Sequence, residues 1–432
     1  MSAFFIIDKS CYRRREEISM VRNFLLSNDW REAGQLGGAD LVVFFACAGL
    51  RHLVDEKLKE IEDTGKMMKP GAELMVGSCL PGVDKERLKR IFKGKTITPT
   101  DFAALNDLPD IEVRIEAMPG MWGRDAVCQP LKRPTRVAAA RMAIDNAAWE
   151  GLNFVMKLRS GPRLKRAAFR LKRRHTLGFS VAAGCSRKCA YCAKPLASGK
   201  VRSKPLDVVV KNISEGLRLG YRSFDLYADS IGVYGLDLGV HFGNLLDRIL
   251  DIDKRFSVGL FDVHPQDFIR YFGSIKSLCR AGKLHYIHVP VQSGNERILG
   301  LMRRPCDVED LAAKLAEIRR CGNVFMQSGM IAGFPGETDE EFEDTLRLLK
   351  RIDFDDVYVH YYCDMPYTEA SGLPCKLDKN AMLRRLAGIE RAGIHHDLAK
   401  TRHEWESNLA IQDRLEKQAP GHSAGAKAKA DD

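Results

Sequence analysis

Apolar and polar positions alternate along the chain in two blocks. In the first, an apolar strand pattern at Ala3–Ile7 precedes a helical pattern around Glu17–Leu26. A second at Leu41–Phe45 precedes a helix around Val54–Ile61, and a third at Glu73–Val76 precedes one around Lys85–Phe92. Strands that are apolar throughout and separated by helices predict a parallel sheet covered on its faces. The second block opens at Leu177. Strand patterns at Gly178–Ala182, Ser223–Ala228, Ser257–Asp262, His285–Val291, Val324–Ile331 and Val357–Tyr362 alternate with helical ones. Six β/α units in series fit an incomplete TIM-like barrel or a doubly wound sheet, and alternation alone does not choose between them.

Between the blocks the pattern loosens. Lys93–Pro134 is irregular and a helical pattern runs from Thr135 to about Leu158. Lys157–Arg174 then holds nine Lys or Arg and no acid, which reads as an exposed linker or loop. After Pro374 the pattern is helical over Asn380–Gln418, and the low-complexity end is expected to be disordered. The organisation predicted is an α/β domain over 1–125, a helical and basic linker over 126–176, a second α/β domain over 177–375, a helical extension over 376–418 and a tail over 419–432.

Composition narrows the class. With 45% apolar residues among 432, the chain is globular, and its longest apolar runs, such as Leu41–Ala48, are too short for a membrane span. The first residues lack the basic stretch of a secretory signal, so a cytoplasmic protein with no membrane partner is expected. The net charge of +11 is a weak pointer to an acidic partner. Twelve cysteines without an export signal argue for metal or cluster ligands, catalytic thiols or buried side chains rather than a disulfide scaffold.

Cys185-Ser-Arg-Lys-Cys189-Ala-Tyr-Cys192 places three cysteines on one tight loop directly after a strand. Three thiolates there can hold three irons of a 4Fe–4S cube and leave the fourth iron open for a small molecule. Arg187 and Lys188 would offset the thiolate charge. The competing readings are a zinc site, which usually wants a second cysteine pair that is missing nearby, or unrelated core cysteines. Cys11, Cys47 and Cys79 each follow a strand of the first block. Successive strand ends of a parallel sheet share one edge, so these three either converge on a second site or are scattered core cysteines. Cys128, Cys279, Cys306, Cys321, Cys363 and Cys375 have no ligand spacing and read as ordinary thiols. His395, His396 and His403 fit a solvated helix face better than a metal site.

The cysteine run, with Tyr191 before its last cysteine, resembles the signature of the radical SAM superfamily. Lys200–Pro205, Tyr234–Asp237, Val289–Gly294, Met302 with Arg304, and Gly333–Thr338 resemble, in order, the motifs of its methylthiotransferases. The resemblance implies a partial (β/α)6 TIM-like radical SAM barrel after the N-terminal parallel α/β domain. It implies S-adenosylmethionine held at an open iron over Cys185, Cys189 and Cys192, and cleaved there to a 5′-deoxyadenosyl radical. It also implies a second 4Fe–4S cluster on Cys11, Cys47 and Cys79, where methylated sulfur is handed to a substrate carbon. Tyr191, Gln292, Ser293, Arg304 and Gly333 are the candidates for contacting the cofactor.

Two departures qualify the resemblance. The family usually has Gly before its first cysteine and Asn three places after it, whereas this chain has Ser10 and Arg14; its second cysteine lies in Phe45-Ala-Cys-Ala48 rather than after Asn-Thr. After Pro374 there is no strand pattern resembling TRAM, the family's usual C-terminal β-barrel. The expected function is methylthiolation of an unidentified substrate, with a peptide or small molecule favoured over tRNA and a flavodoxin or ferredoxin as reductant. The alternatives are radical sulfur insertion or another radical modification without methyl transfer, and a non-catalytic iron–sulfur electron-transfer protein.

Overall fold

The computed structural model describes residues 2–118, 135–137, 140, 143–144, 162–173, 176–321 and 324–394. Cys128, most of the helix expected over Thr135–Leu158, the three histidines from His395 onward and the expected tail lie outside these residues.

The first block is a four-stranded parallel sheet of β1 (Ala3–Lys9), β2 (Arg31–Glu32), β3 (Leu41–Ala46) and β4 (Glu73–Ser78), in the order β2-β1-β3-β4. All six residues of β3 are buried, as a central parallel strand covered on both faces requires. One face packs on Val21, Phe24 and Leu25 of the helix Arg15–Ser27, and the other on Val54, Leu58 and Ile61 of the helix Arg51–Met67. Strand β2 escaped the sequence pattern because it is two exposed residues at the sheet edge.

The second block consists of β5 (Leu177–Ser180), a small antiparallel pair β6 (Ala182–Ala183) and β7 (Arg202–Ser203), then β8 (Ser223–Tyr227), β9 (Ser257–Leu260), β10 (Leu284–His288), β11 (Phe325–Ala332) and β12 (Asp356–Tyr361). Six of these form one parallel sheet in the sequential order β12-β11-β10-β9-β8-β5. Sequential order without reversal excludes the doubly wound alternative, whose order switches direction part-way. The sheet is a partial barrel, and its two edges, β5 and β12, do not pair.

The basic run corrects the sequence reading. Pro162–Arg173 is a helix, not an exposed loop. Ala168 and Phe169 are buried, and Phe169 stacks on Phe325 at 4.1 Å and Tyr286 at 5.0 Å between ring centroids. Lys165 pairs with Asp355 at the start of β12 (3.4 Å), and Arg173 with Asp225 on β8 (3.4 Å). Three residues of the cationic run thus bolt a helix across the N-terminal ends of the barrel strands, with two aromatic strand residues as its seat. A composition window sees the charge and misses the single Phe169 that decides burial.

The two blocks dock at the C-terminal ends of their strands. Glu16 accepts the backbone N–H of Ser180 (2.7 Å) and pairs with buried Lys204 (2.6 Å), which covers the free edge of β5. Ala46, Ala48, Val54, Leu80 and Val83 of the first block share one apolar cluster with Ala193, Ala197 and Met365 of the second.

Candidate functional site

The loop Cys185–Cys192 leaves β6 through Gly184, whose φ is +81°. A Cβ there would lie 2.1 Å from the carbonyl oxygen of Lys200, so only glycine permits this turn. Arg187 is anchored to Gln266 (2.7 Å) and to Asp267, which ties the loop to the barrel wall. Burial pushes the Cys185 thiol up to about 11 and raises Cys192 as well; Lys194, two places beyond the loop, opposes both. A positive charge beside buried thiols favours the thiolate form that iron needs.

Cys11, Cys47 and Cys79 follow β1, β3 and β4 and come together. The Cys11 and Cys47 side chains lie beside each other, and Cys79 is close enough for its charge to act on Cys47 and that of Cys11 to act on it. Contact with Cys47 and then the charges of Arg13 and Arg14 lower Cys11 to about 5, while Cys47 is raised as the partner that keeps the shared proton. Among the described residues no three His, Cys, Asp or Glu close tightly enough to hold one metal ion. A cube asks something else, one thiolate per iron, so its sulfurs stand further apart.

The segments that follow the two triplets meet. The short helix Leu80–Val83 begins next to Cys79 and abuts the short helix Lys194–Ser198, which begins two residues after Cys192. At the contact, a Cβ on Gly82 would stand 2.7 Å from the Cα of Ala197 and from the carbonyl of Leu196. Backbone meets backbone there, and glycine is what allows it.

The other candidates divide. Arg304 is buried, donates to the carbonyl of Pro290 (2.7 Å) and reaches the sulfur of Cys189 at 3.8 Å. Tyr191 lies against Cys189 and Arg304; burial holds its phenol protonated, with Arg304 opposing. Gln292 has φ +65°, and its buried Oε1 has no partner among the described residues. A strained backbone holding an unpaired buried polar group is a signature of a ligand contact. Gly333 has φ +77° and donates its N–H to Glu337 at 2.8 Å. Ser293 is buried: its hydroxyl sits against Thr345 (3.3 Å) and accepts the N–H of Asn295 (3.2 Å). It shapes the start of the following helix, and its hydroxyl is already engaged.

Other residues at the site were not singled out from sequence. Asp229 follows β8, Asp262 follows β9 and His288 ends β10. Arg13 reaches across from the first block to Asp262 (2.9 Å), and His288 Nδ1 lies 3.5 Å from the same carboxylate. Burial pushes Asp262 up, but Arg13, Lys194 and His288 outweigh it and hold the carboxyl well below the usual range. Polar residues at the C-terminal ends of barrel strands were the available signal. Cys363, read as ordinary, accepts the N–H of Arg51 at 3.0 Å at the seam between the blocks.

Residues 179–349 match the radical SAM superfamily. A tRNA-2-methylthio-N(6)-dimethylallyladenosine synthase of Halalkalibacterium halodurans is 32% identical over 240 residues, 54% of this chain and 42% of that protein. The chain carries a radical SAM domain and is similar to methylthiotransferases. A synthase of the same name from Symbiobacterium thermophilum is 26% identical over 410 residues, covering 88% of this chain and 77% of the relative. The chain spans about half the length of most of the curated relatives it matches first. Among solved structures, the radical SAM methyltransferase TsrM of Kitasatospora setae, with cobalamin and a 4Fe–4S cluster bound, has a TM-score of 0.58 at 13% identity. It covers 86% of this chain and 77% of that one, a likeness of fold alone. The radical SAM match implies S-adenosylmethionine and one 4Fe–4S cluster. Among the described residues no helix is long and apolar enough to cross a membrane.

Proposed function

We propose that this chain is a methylthiotransferase with two 4Fe–4S clusters, one on Cys185, Cys189 and Cys192 and one on Cys11, Cys47 and Cys79. The single observation that supports the reading is that Cys11, Cys47 and Cys79, following three different strands, lie near one another. When bound, the clusters supply reductive cleavage of S-adenosylmethionine at the first triplet and a sulfur donor at the second.

The chain's own residues prepare that chemistry. Lys194 and Arg304 place positive charge beside the thiolates of the first triplet, and Arg13 and Arg14 do so beside the second. Gln292 offers an unpaired buried oxygen as acceptor for a cofactor donor. The docked faces pack Ala193, Ala197 and Met365 with Ala48 and Leu80, and the proposed radical chemistry requires a site closed to water. A flavodoxin or ferredoxin is the proposed reductant.

The proposed substrate is a peptide or small molecule rather than tRNA. The relatives' names point to tRNA. After Pro374 the helix Lys379–Ala392 docks back on the barrel by Arg385 to buried Glu337 and by Met382 beside Gly333. Anaerobically reconstituted protein, reduced with S-adenosylmethionine present, should hold about eight irons and release 5′-deoxyadenosine. No deoxyadenosine would sink the enzyme reading. A gene-deletion strain should keep the thiomethylated nucleosides of its tRNA; their loss, restored by this gene, would replace the substrate half with tRNA.

A further inference from the structure

Arg14 stands where the resembled family carries Asn, and it is 3% exposed. Its Nη1 donates to Glu17 Oε1 (2.8 Å), and its Nη2 donates to Asp229 Oδ1 (2.8 Å) and Ser198 Oγ (2.7 Å). Each partner belongs to a different part of the site. Glu17 lies on the helix after Cys11. Ser198 ends the short helix after Cys192. Asp229 follows β8, and its other oxygen accepts the N–H of Gly184 at 2.9 Å, one residue before Cys185. One guanidinium therefore joins the loop of the second triplet to both ends of the first triplet's loop.

Charge follows the same path. Burial pushes Glu17 up to about 8, so at neutral pH Asp229 is the carboxylate that balances Arg14. Burial also opposes ionisation of Asp229, yet Arg14, Lys194 and Arg13 hold it below its ordinary value. Asp229 is felt by Cys79 in one triplet and by Cys192 in the other, and Arg14 by Cys11 and Cys79. A fully buried ion pair contributes little net stability, because desolvation offsets most of the attraction. Its use here is registry between two surfaces that each hold three thiols.

The geometry points to Arg14 as a positioning residue that locks the Cys11, Cys47 and Cys79 triplet onto the Cys185–Cys192 loop through Asp229, and thereby sets how easily a cluster on that loop is reduced. The electrical half rests on the cluster reading above; the locking half is a property of the chain itself.

Two measurements on the full chain separate them. In the metal-free protein, Arg14→Gln should speed hydrogen exchange of the Gly184 amide by about tenfold, because its acceptor is no longer held. In the reconstituted protein, the fraction of the Cys185–Cys192 cluster reduced at a fixed potential, read by electron paramagnetic resonance, should fall by about threefold or more, since a buried negative charge is left uncompensated. Arg14→Lys keeps the charge and should restore the reduced fraction. Arg14→Gln with Asp229→Asn removes both charges; it should restore the reduced fraction while exchange stays fast, and it replaces the single variant if that one does not fold. Wild-type exchange at Gly184 in both Gln variants overturns the lock. Fast exchange with an unchanged reduced fraction overturns the electrical role. A wild-type protein holding only about four irons would refute the two-cluster reading, while the exchange measurement still decides the lock.

Discussion

The two cysteine triplets reach similar arrangements by opposite routes. Cys185, Cys189 and Cys192 lie on one eight-residue loop, and what the loop needs is close at hand: Gly184 for the turn, Arg187 for the anchor and Lys194 for charge. Cys11, Cys47 and Cys79 sit at three strand ends and meet only if the parallel order β1-β3-β4 forms in register. The first site is a property of a segment; the second is a property of a domain. A local site tolerates change elsewhere and fails at its own residues. An assembled site inherits the stability of its sheet and of the surface it docks on.

The largest break in that comparison is Cys185/Cys189/Cys192→Ala. This should remove half of the bound iron and abolish release of 5′-deoxyadenosine, because no other triplet is placed to support it; iron content and nucleoside chromatography give the readout. Iron lost wholly with this one triplet would mean that the assembled site holds none.

Phe169→Ala tests the helix across the barrel floor. It removes an aromatic ring stacked on Phe325 and Tyr286 and should cost about 3–5 kcal/mol, measured by denaturant unfolding. A cost under about 1 kcal/mol would return the basic run to the status of a surface segment. Gly82→Val tests the docking of the two sites. Its Cβ would fall 2.7 Å from the backbone of Ala197, so a loss of about 1–3 kcal/mol is expected. Coupled product should fall further than deoxyadenosine, since the spacing of the triplets is what changes.

The smallest effect is a pH dependence at Glu337, which accepts the N–H of Gly333 just after β11. Burial raises Glu337 from an ordinary 4.5 to about 7, with Arg385 opposing. The folded chain therefore binds this proton more tightly than the unfolded one. The stability it contributes is full below the unfolded value and is lost as pH rises through about 7. Melting temperatures of wild type and Glu337→Gln should diverge over that window, with the wild type losing more. Parallel curves would show that Glu337 does not titrate there.

What could be read from sequence follows the same division. The strands were legible because their apolar runs are continuous, and the loop Cys185–Cys192 because its ligands are contiguous. Convergence of Cys11, Cys47 and Cys79 could be posed but not decided, since spacing in sequence says nothing of strand order. The pairing of Arg14 with Asp229 was invisible, since they are 215 residues apart and joined only by docking. The basic run was misread because a side chain's job is set by its neighbours, here the Tyr286–Phe325 pair beneath Phe169, which does not adjoin it in sequence.

The central claim is that the assembled triplet supplies sulfur and the local triplet supplies the radical. A Cys11/Cys47/Cys79→Ala chain, turned over anaerobically with substrate and followed by mass spectrometry, tests this most directly. The account predicts continued release of 5′-deoxyadenosine and no thiomethylated product. If these cysteines were only buried packing, each substitution would cost roughly 1 kcal/mol and leave chemistry intact. Thiomethylated product at near wild-type yield would contradict the sulfur-donor role.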